Sequence, residues 1–251
     1  MKNRIVFKLA VAALVCCVWS PLTASAQSKS AAAETLAATA QQQKYAFVMF
    51  WKQQDAATDA VFQSLHTHLA GYGERATSVA VQLTDPTNRE IVERFGVSRA
   101  PMPLVLAVAP NGAVTAAFQS APTAAQVGGA FVTPAAANCM KAMQDGKSVL
   151  MLVHPQANVQ APQGAQQFLA DPHFSKRTAF VRLVSTNPAE GEFLQKLGVS
   201  QQEANGCVVM MAPPGVFVGK FPVSVTGQEL AKKLHAAGKC CDDENCKHNH
   251  K

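Results

Sequence analysis

The chain has 251 residues, of which 48% are hydrophobic and 15% charged, and it carries a formal net charge of +6. Three of its basic residues lie within the first eight positions, and the remaining Lys and Arg residues form no stripe, which argues against a nucleic-acid-binding protein. Once a targeting segment is removed, the length suits two domains of about 100 residues each.

The first 26 residues have the three parts of a secretory signal peptide. Basic residues precede an apolar run from Leu9 to Trp19, and Ala24-Ser25-Ala26 provides a small-x-small cleavage site. The apolar run is shorter than the roughly 20 residues that a membrane-spanning helix needs. The sequence therefore predicts cleavage after Ala26, export to the periplasm or the outside of a bacterial cell, and no transmembrane helix in the mature chain.

The remaining sequence contains an internal repeat. The stretch LAATAQQQKYAFVMFW lines up with CMKAMQDGKSVLMLVH, and the stretch that begins at Thr84 resembles the one that begins at Thr186. After one inserted residue the correspondence resumes at Ala109 and Ala212. Two copies of one fold are therefore predicted. The predicted segments are a linker at 27–34, a first domain at 35–133, a second domain at 134–237 and a flexible Cys/His-rich tail at 238–251.

Both copies have the same predicted order of elements. An Ala-rich helix leads into a continuous apolar run, Ala46 to Trp51 or Ser148 to Val153, which suits a strand buried on both faces. A helix from Thr58 to Ala70, a second strand and a helix that ends at Gly96 follow in the first copy. Two strands joined by a Pro-Asn-Gly turn and a last helix complete it. This order predicts an α/β fold with helices on both faces of a mixed sheet.

The order of elements, together with the stretch GVSRAPMPLVLAVAPNGAV, resembles the thioredoxin family. In that family a Gly-Val-x-x-x-Pro stretch carries a cis-proline and leads into an apolar strand and an Asn-Gly hairpin. The resemblance covers Leu36 to Phe131 and, more faintly, Cys139 to Ala237. It implies two tandem thioredoxin-like domains.

The family's reactive dithiol is missing from both copies. Its oxidoreductases carry Cys-x-x-Cys just after the first long strand, where the N-terminus of a helix lowers the pKa of the first thiol. The corresponding stretches here read FWKQQDAATDAVF and HPQANVQAP, without cysteine. Asp55 and Thr58 stand at about the positions of the two thiols, so we expect helix caps there instead of dithiol exchange.

The cis-proline is kept in part. Counting from Gly96 favours Pro101, whereas counting back from the Asn-Gly turn favours Pro103. The second copy has Ala204 and Gly206 at these places. Because the cis-proline backbone helps to bind extended peptides in the family, the resemblance implies a peptide-binding edge in the first copy and a structural role for the second.

Five cysteines remain after the predicted cleavage, an odd number for an oxidising compartment. Cys139 lies on the apolar face of a helix and Cys207 opens an apolar strand, so both are predicted to be core residues. The others crowd into the tail AGKCCDDENCKHNHK, whose thiolates and imidazoles suit Zn(II) or Cu(I). The candidate metal ligands are Cys240, Cys241, Cys246, His248 and His250.

Three alternatives compete with metal binding by the tail. Oxidation could pair Cys240 or Cys241 with Cys246, a vicinal Cys240–Cys241 disulfide could form under strain, or the tail could be a solvated end without a function. The leading hypothesis is an exported, redox-inactive binding or scaffold protein with a partner in the cell envelope. A thiol-redox enzyme that uses the tail cysteines and a structural partner of an envelope complex are the other two.

Overall fold

Each half of the chain builds one four-stranded mixed sheet with helices on both faces. The computed structural model describes residues 30–201 and 205–238. The elements of the first half are α1 (Ala31–Gln41), β1 (Tyr45–Trp51), α2 (Ala56–Leu69), β2 (Ala76–Gln82), α3 (Arg89–Phe95), β3 (Leu104–Val108), β4 (Val114–Phe118) and α4 (Ala124–Gly129). Those of the second half are α5 (Pro134–Gln144), β5 (Ser148–His154), α6 (Gln163–Ala170), α7 (Pro172–Ser175), β6 (Thr178–Val184), α8 (Gly191–Lys196), β7 (Cys207–Ala212), β8 (Val216–Pro222) and α9 (Gly227–Ala236).

The two sheets have the same topology. The strand order is β2-β1-β3-β4 in the first sheet and β6-β5-β7-β8 in the second. In each sheet the two strands that flank a crossover helix run parallel, and the remaining neighbours run antiparallel. This topology is that of two tandem thioredoxin-like domains and confirms the fold class expected from the repeat.

The central strands β1 and β5 carry the core because both of their faces are covered. Val48 and Phe50 of β1 pack towards α1 and α3, whereas Phe47 and Met49 pack towards α2 and α4. Full burial of one such aromatic side chain contributes about 1.5–3 kcal/mol. The unbroken apolar runs in the sequence therefore predicted these two strands, which alternation alone would have missed.

Local capping signals place most helix ends where the sequence predicts them. Gly96 ends α3 with φ of +64°, a backbone conformation that favours glycine. Thr226 and Glu229 form a reciprocal capping box at the start of α9. The first helix differs, because Ser30 caps it and α1 begins at Ala31, inside the segment assigned to a linker.

The helix α5 belongs to the second half and also packs against the first. Its Cys139 and Ala142 lie in the core cluster of the second sheet, whereas Ala137 lies in that of the first. The side-chain amide of Gln144 bonds both backbone groups of Val114 on β4, accepting from its N–H at 2.9 Å and donating to its carbonyl at 2.7 Å. One helix thus joins the two halves through apolar contact and through hydrogen bonds between a side chain and the backbone.

Within the described ranges, no helix is both long and apolar enough to cross a bilayer. The predicted signal peptide and the tail ligands from Cys240 onward lie outside the described residues, as does Ala204.

The crossing of α6 and α9 depends on a glycine, and this generates a test. A Cβ atom on Gly164 would lie 1.9 Å from the carbonyl oxygen of Val225, so backbone would have to move. We expect Gly164→Ala to lower the free energy of unfolding by about 1–3 kcal/mol, measured by calorimetry.

Gly129→Ala is the matched control, because a Cβ atom there meets nothing within 4 Å. It should leave stability unchanged or raise it by up to about 1 kcal/mol. Equal thermal midpoints for the two variants would contradict the close crossing.

Candidate functional site

The N-terminus of α2, where the family's dithiol would lie, is closed by a helix cap. Asp55 is the N-cap residue, and its carboxylate accepts a hydrogen bond from the Thr58 N–H at 2.8 Å. The Thr58 side chain is only 2% exposed, and its hydroxyl donates to the Gln53 carbonyl at 3.0 Å. The sequence predicted Thr58 as a helix cap. In the structure Asp55 is the N-cap residue, and Thr58 is the residue whose N–H is capped.

These hydrogen bonds determine the charge state of the side chain at the N-terminus of α2. Hydrogen bonds, chiefly from the Thr58 N–H, stabilise the charged carboxylate and lower the pKa of Asp55 below its ordinary value. An ionised carboxylate and a hydroxyl can neither form nor attack a disulfide. The helix terminus is thus stabilised by a fixed negative charge instead of carrying a reactive thiolate.

The proline loop lies beside this helix terminus. The Met102–Pro103 peptide bond is cis, and Pro103 is buried directly before β3, whereas Pro101 is exposed. Phe50 pairs with Leu104 in the sheet, so the next residues outward, Trp51 and Pro103, lie at the same end. Trp51 and Met102 are half-buried, which leaves apolar surface at this end of the first sheet.

In the described residues of the second half, close contact fills the equivalent place. Gly206 stands directly before β7 with φ of +68°, where the first half has Pro103. A Cβ atom on Gly206 would lie 2.6 Å from the Val153 carbonyl oxygen and 2.8 Å from the His154 ring, so the two segments are in close contact. The His154 ring also takes part in a local hydrogen bond, because its Nδ1 accepts from the Gln156 N–H at 3.0 Å.

The two cysteines in the described residues are core residues. Cys139 and Cys207 are 1% and 2% exposed. Burial, together with the negative charge of Glu190, raises the pKa of Cys139 to about 12. Glu190 itself accepts a hydrogen bond from the Thr133 hydroxyl at 2.7 Å. Cys139 is therefore a poor nucleophile in the folded protein.

The sequence-predicted metal ligands all lie beyond residue 238, outside the described residues. Within 30–201 and 205–238, no group of three or more His, Cys, Asp and Glu residues could hold a metal ion. One pair of imidazoles does come together close to the start of the tail. The rings of His173 on α7 and His235 on α9 lie 6.3 Å apart and are nearly parallel. No sequence signal indicates this pair, because the two residues are distant along the chain.

A groove of about 470 Å³ lies between α2 and the edge strand β2. Phe62, Leu65 and His66 contribute one wall, and Ser78 and Ala80 contribute the other. None of the residues predicted from the sequence as functional lines it.

No family model and no curated protein matches the chain. Among solved structures, human ERp44 matches with a TM-score of 0.36 at 10% identity, over 82% of this chain and 56% of that one. The first two thioredoxin domains of Naumovozyma dairenensis Eps1p match with a TM-score of 0.29 at 9% identity, over 74% and 88%. An N-terminal domain of alkylhydroperoxide reductase AhpF from Enterococcus faecalis matches with a TM-score of 0.30 at 14% identity, over 80% and 96%.

These similarities concern the fold alone, and the strand order within each sheet defines it independently. In fold, the chain is a tandem thioredoxin-like protein.

The Asp55 cap predicts a pH-dependent contribution to stability. Because the folded-state pKa of Asp55 is depressed, its contribution is fully present above the ordinary value of 3.8 and is lost as the pH falls through the folded-state pKa. We expect Asp55→Ala to lower the thermal midpoint at neutral pH, with a difference from wild type that shrinks on acidification.

Asp55→Asn is the matched control, because an asparagine side chain keeps the capping hydrogen bond without carrying a charge or titrating. Its midpoint at neutral pH should lie between those of wild type and Asp55→Ala, and its difference from Asp55→Ala should not change on acidification. An Asp55→Ala deficit that does not change with pH would show that the carboxylate charge has no part in the cap.

The burial of Cys139 predicts that its thiol is inert in the folded chain. In residues 27–251 with Cys240, Cys241 and Cys246 changed to Ser, two cysteines remain, Cys139 and Cys207. Iodoacetamide at neutral pH should modify neither, because both are buried and almost no Cys139 thiolate is present. Mass spectrometry should detect two modified cysteines after unfolding in urea. Rapid labelling of Cys139 without denaturant would contradict the burial.

Proposed function

We propose that the chain is an exported, redox-inactive thioredoxin-like protein that binds a protein or peptide partner in the cell envelope and holds Zn or Cu through its C-terminal segment. The observation that carries this proposal is the cap at the start of α2, where Asp55 and Thr58 occupy the place of a reactive dithiol. Neither side chain has the chemistry of thiol exchange, so binding is the activity that the rest of this site supports.

The first half supports the binding role. The Pro103 loop, the half-buried Trp51 and the N-terminus of α2 lie together at one end of the first sheet. An extended peptide there would meet backbone groups of the loop and apolar surface from Trp51 and Met102. The second half supports only a structural role, since Gly206 and His154 are in close contact at the equivalent place.

The tail supports the metal-binding role through its ligand types. Thiolates from Cys240, Cys241 and Cys246 with imidazoles from His248 and His250 are donors suited to Zn(II) or Cu(I). Metal affinity would require reduced, deprotonated thiols and would therefore weaken at acid pH.

The redox part of the proposal is tested by disulfide exchange. The mature chain should reduce or isomerise disulfides no faster than the variant with Cys240, Cys241 and Cys246 changed to Ser, with a Cys-x-x-Cys thioredoxin as the positive control. If the wild-type chain is active and this variant is not, the tail is a redox centre and the function is thiol exchange.

The metal part is tested by metal content after export. We expect near-stoichiometric Zn or Cu on the mature chain, and its loss both on truncation after Gly238 and in the triple Cys→Ser variant. A chain with Asp242→Asn, Asp243→Asn and Glu244→Gln is the matched control and should keep the metal, because thiolates and not carboxylates bind it. A metal-free wild-type chain whose tail thiols are oxidised would exclude metal binding and leave the peptide-binding role standing.

A further inference from the structure

The second sheet exposes apolar surface at its edge strand. Within the described residues, the exposed large hydrophobic side chains are Val216 and Phe217 at the start of β8, which are 39% and 49% exposed. Among the described residues β8 pairs with β7 alone, so it is the edge strand of this sheet. An edge strand with exposed apolar side chains is a site for association.

The internal repeat shows what covers the equivalent surface of the first half. Gly112 corresponds to Gly215 in the turn of each hairpin, so Ala113 and Val114 correspond to Val216 and Phe217. Ala113 is 0% exposed and lies in the same core cluster as Ala137 of α5. The Gln144 side chain of the same helix accepts a hydrogen bond from the Val114 N–H and donates one to the Val114 carbonyl. In the first half, a helix covers the place that remains open in the second.

The counterpart of the covering helix is present and exposed. The strand Tyr45–Trp51 corresponds to Ser148–His154, so α1 corresponds to α5, Gln41 to Gln144 and Ala37 to Met140. Met140 packs against the first core, whereas Ala37 and Gln41 are exposed. The first helix therefore presents an amide and small apolar side chains in the positions that α5 uses for docking.

Charge complementarity fits the same pairing. Glu34 of α1 corresponds to Ala137 of α5, and the aligned capping boxes make Lys233 of α9 correspond to Ala130. Both alanines are buried in one cluster, whereas Glu34 and Lys233 are exposed. Two alanines that lie in the core cluster of the first sheet thus correspond to opposite charges on the two exposed surfaces.

We propose that a second copy of this chain docks its α1 on the β7–β8 hairpin, in the manner in which α5 docks on the β3–β4 hairpin within the chain. The Gln41 amide takes the backbone groups of Phe217, and Glu34 faces Lys233. The two contacting surfaces differ, so the association is head to tail and leads to rings or open chains and not to a symmetric dimer.

Sedimentation of residues 27–251 with reduced tail thiols tests this mode of association. We expect the mean mass of the wild type to rise with concentration, and Phe217→Ser and Ala37→Lys each to remain monomeric. An equimolar mixture of the two variants should form a species of twice the monomer mass, because each variant retains one intact surface. Ala60→Lys on the exposed face of α2 is the matched charge control and should associate as the wild type does.

The charged pair gives a second test that does not alter apolar surface. Glu34→Lys and Lys233→Glu should each reduce association at least several-fold, and the two changes combined in one chain should restore it. A wild type that stays monomeric at every concentration, or a mixture of Phe217→Ser and Ala37→Lys that stays monomeric, would overturn the proposal. If Glu34→Lys and Lys233→Glu each associated as strongly as the wild type, the proposal would also be overturned.

Discussion

Burial of one helix against two sheets is the contact on which the arrangement of this protein depends. The helix α5 opens the second fold, where Cys139 and Ala142 lie in the core, and its other side presents Ala137 to the first core. Ala137 and the partly buried Met140 both pack into that core. Because the position of α5 in its own fold determines which side chains face the first half, the second fold also completes the first.

The same contact manages an exposed edge. The strand β4 would present unpaired backbone groups, and the Gln144 amide satisfies both groups of Val114. No later repeat follows in the described chain to do the same for β8, which explains why its start carries the exposed Val216 and Phe217.

At the start of α2, a helix cap stands where the thioredoxin family carries its dithiol. A helix N-terminus offers unpaired N–H groups and a partial positive charge, and either a thiolate or a carboxylate can satisfy them. Here the Asp55 carboxylate does so while it is ionised, and the Thr58 hydroxyl is held by the Gln53 carbonyl. What remains around Trp51 and Pro103 is surface and backbone, which suits binding. The metal ligands predicted from the sequence lie elsewhere, in the tail.

The sequence by itself determined the features whose physical cause is local. Continuous apolar runs predicted β1 and β5. Gly96 and Thr226 predicted the end of α3 and the start of α9, and the sequence shows directly that no cysteine stands before α2. The repeat predicted two copies of one fold, because corresponding residues recur in the same order.

Only the tertiary structure decided the features that depend on contacts between distant segments. The choice between Pro101 and Pro103 could not be made by counting, because it depends on how the loop joins β3 beside Trp51. The pairing of His173 with His235 required α7 and α9 to meet, and the exposure of Phe217 depends on the absence of a covering helix. A residue's own chemistry shows what it can do, but the neighbours that long-range packing supplies decide whether it is buried, paired or open to a partner.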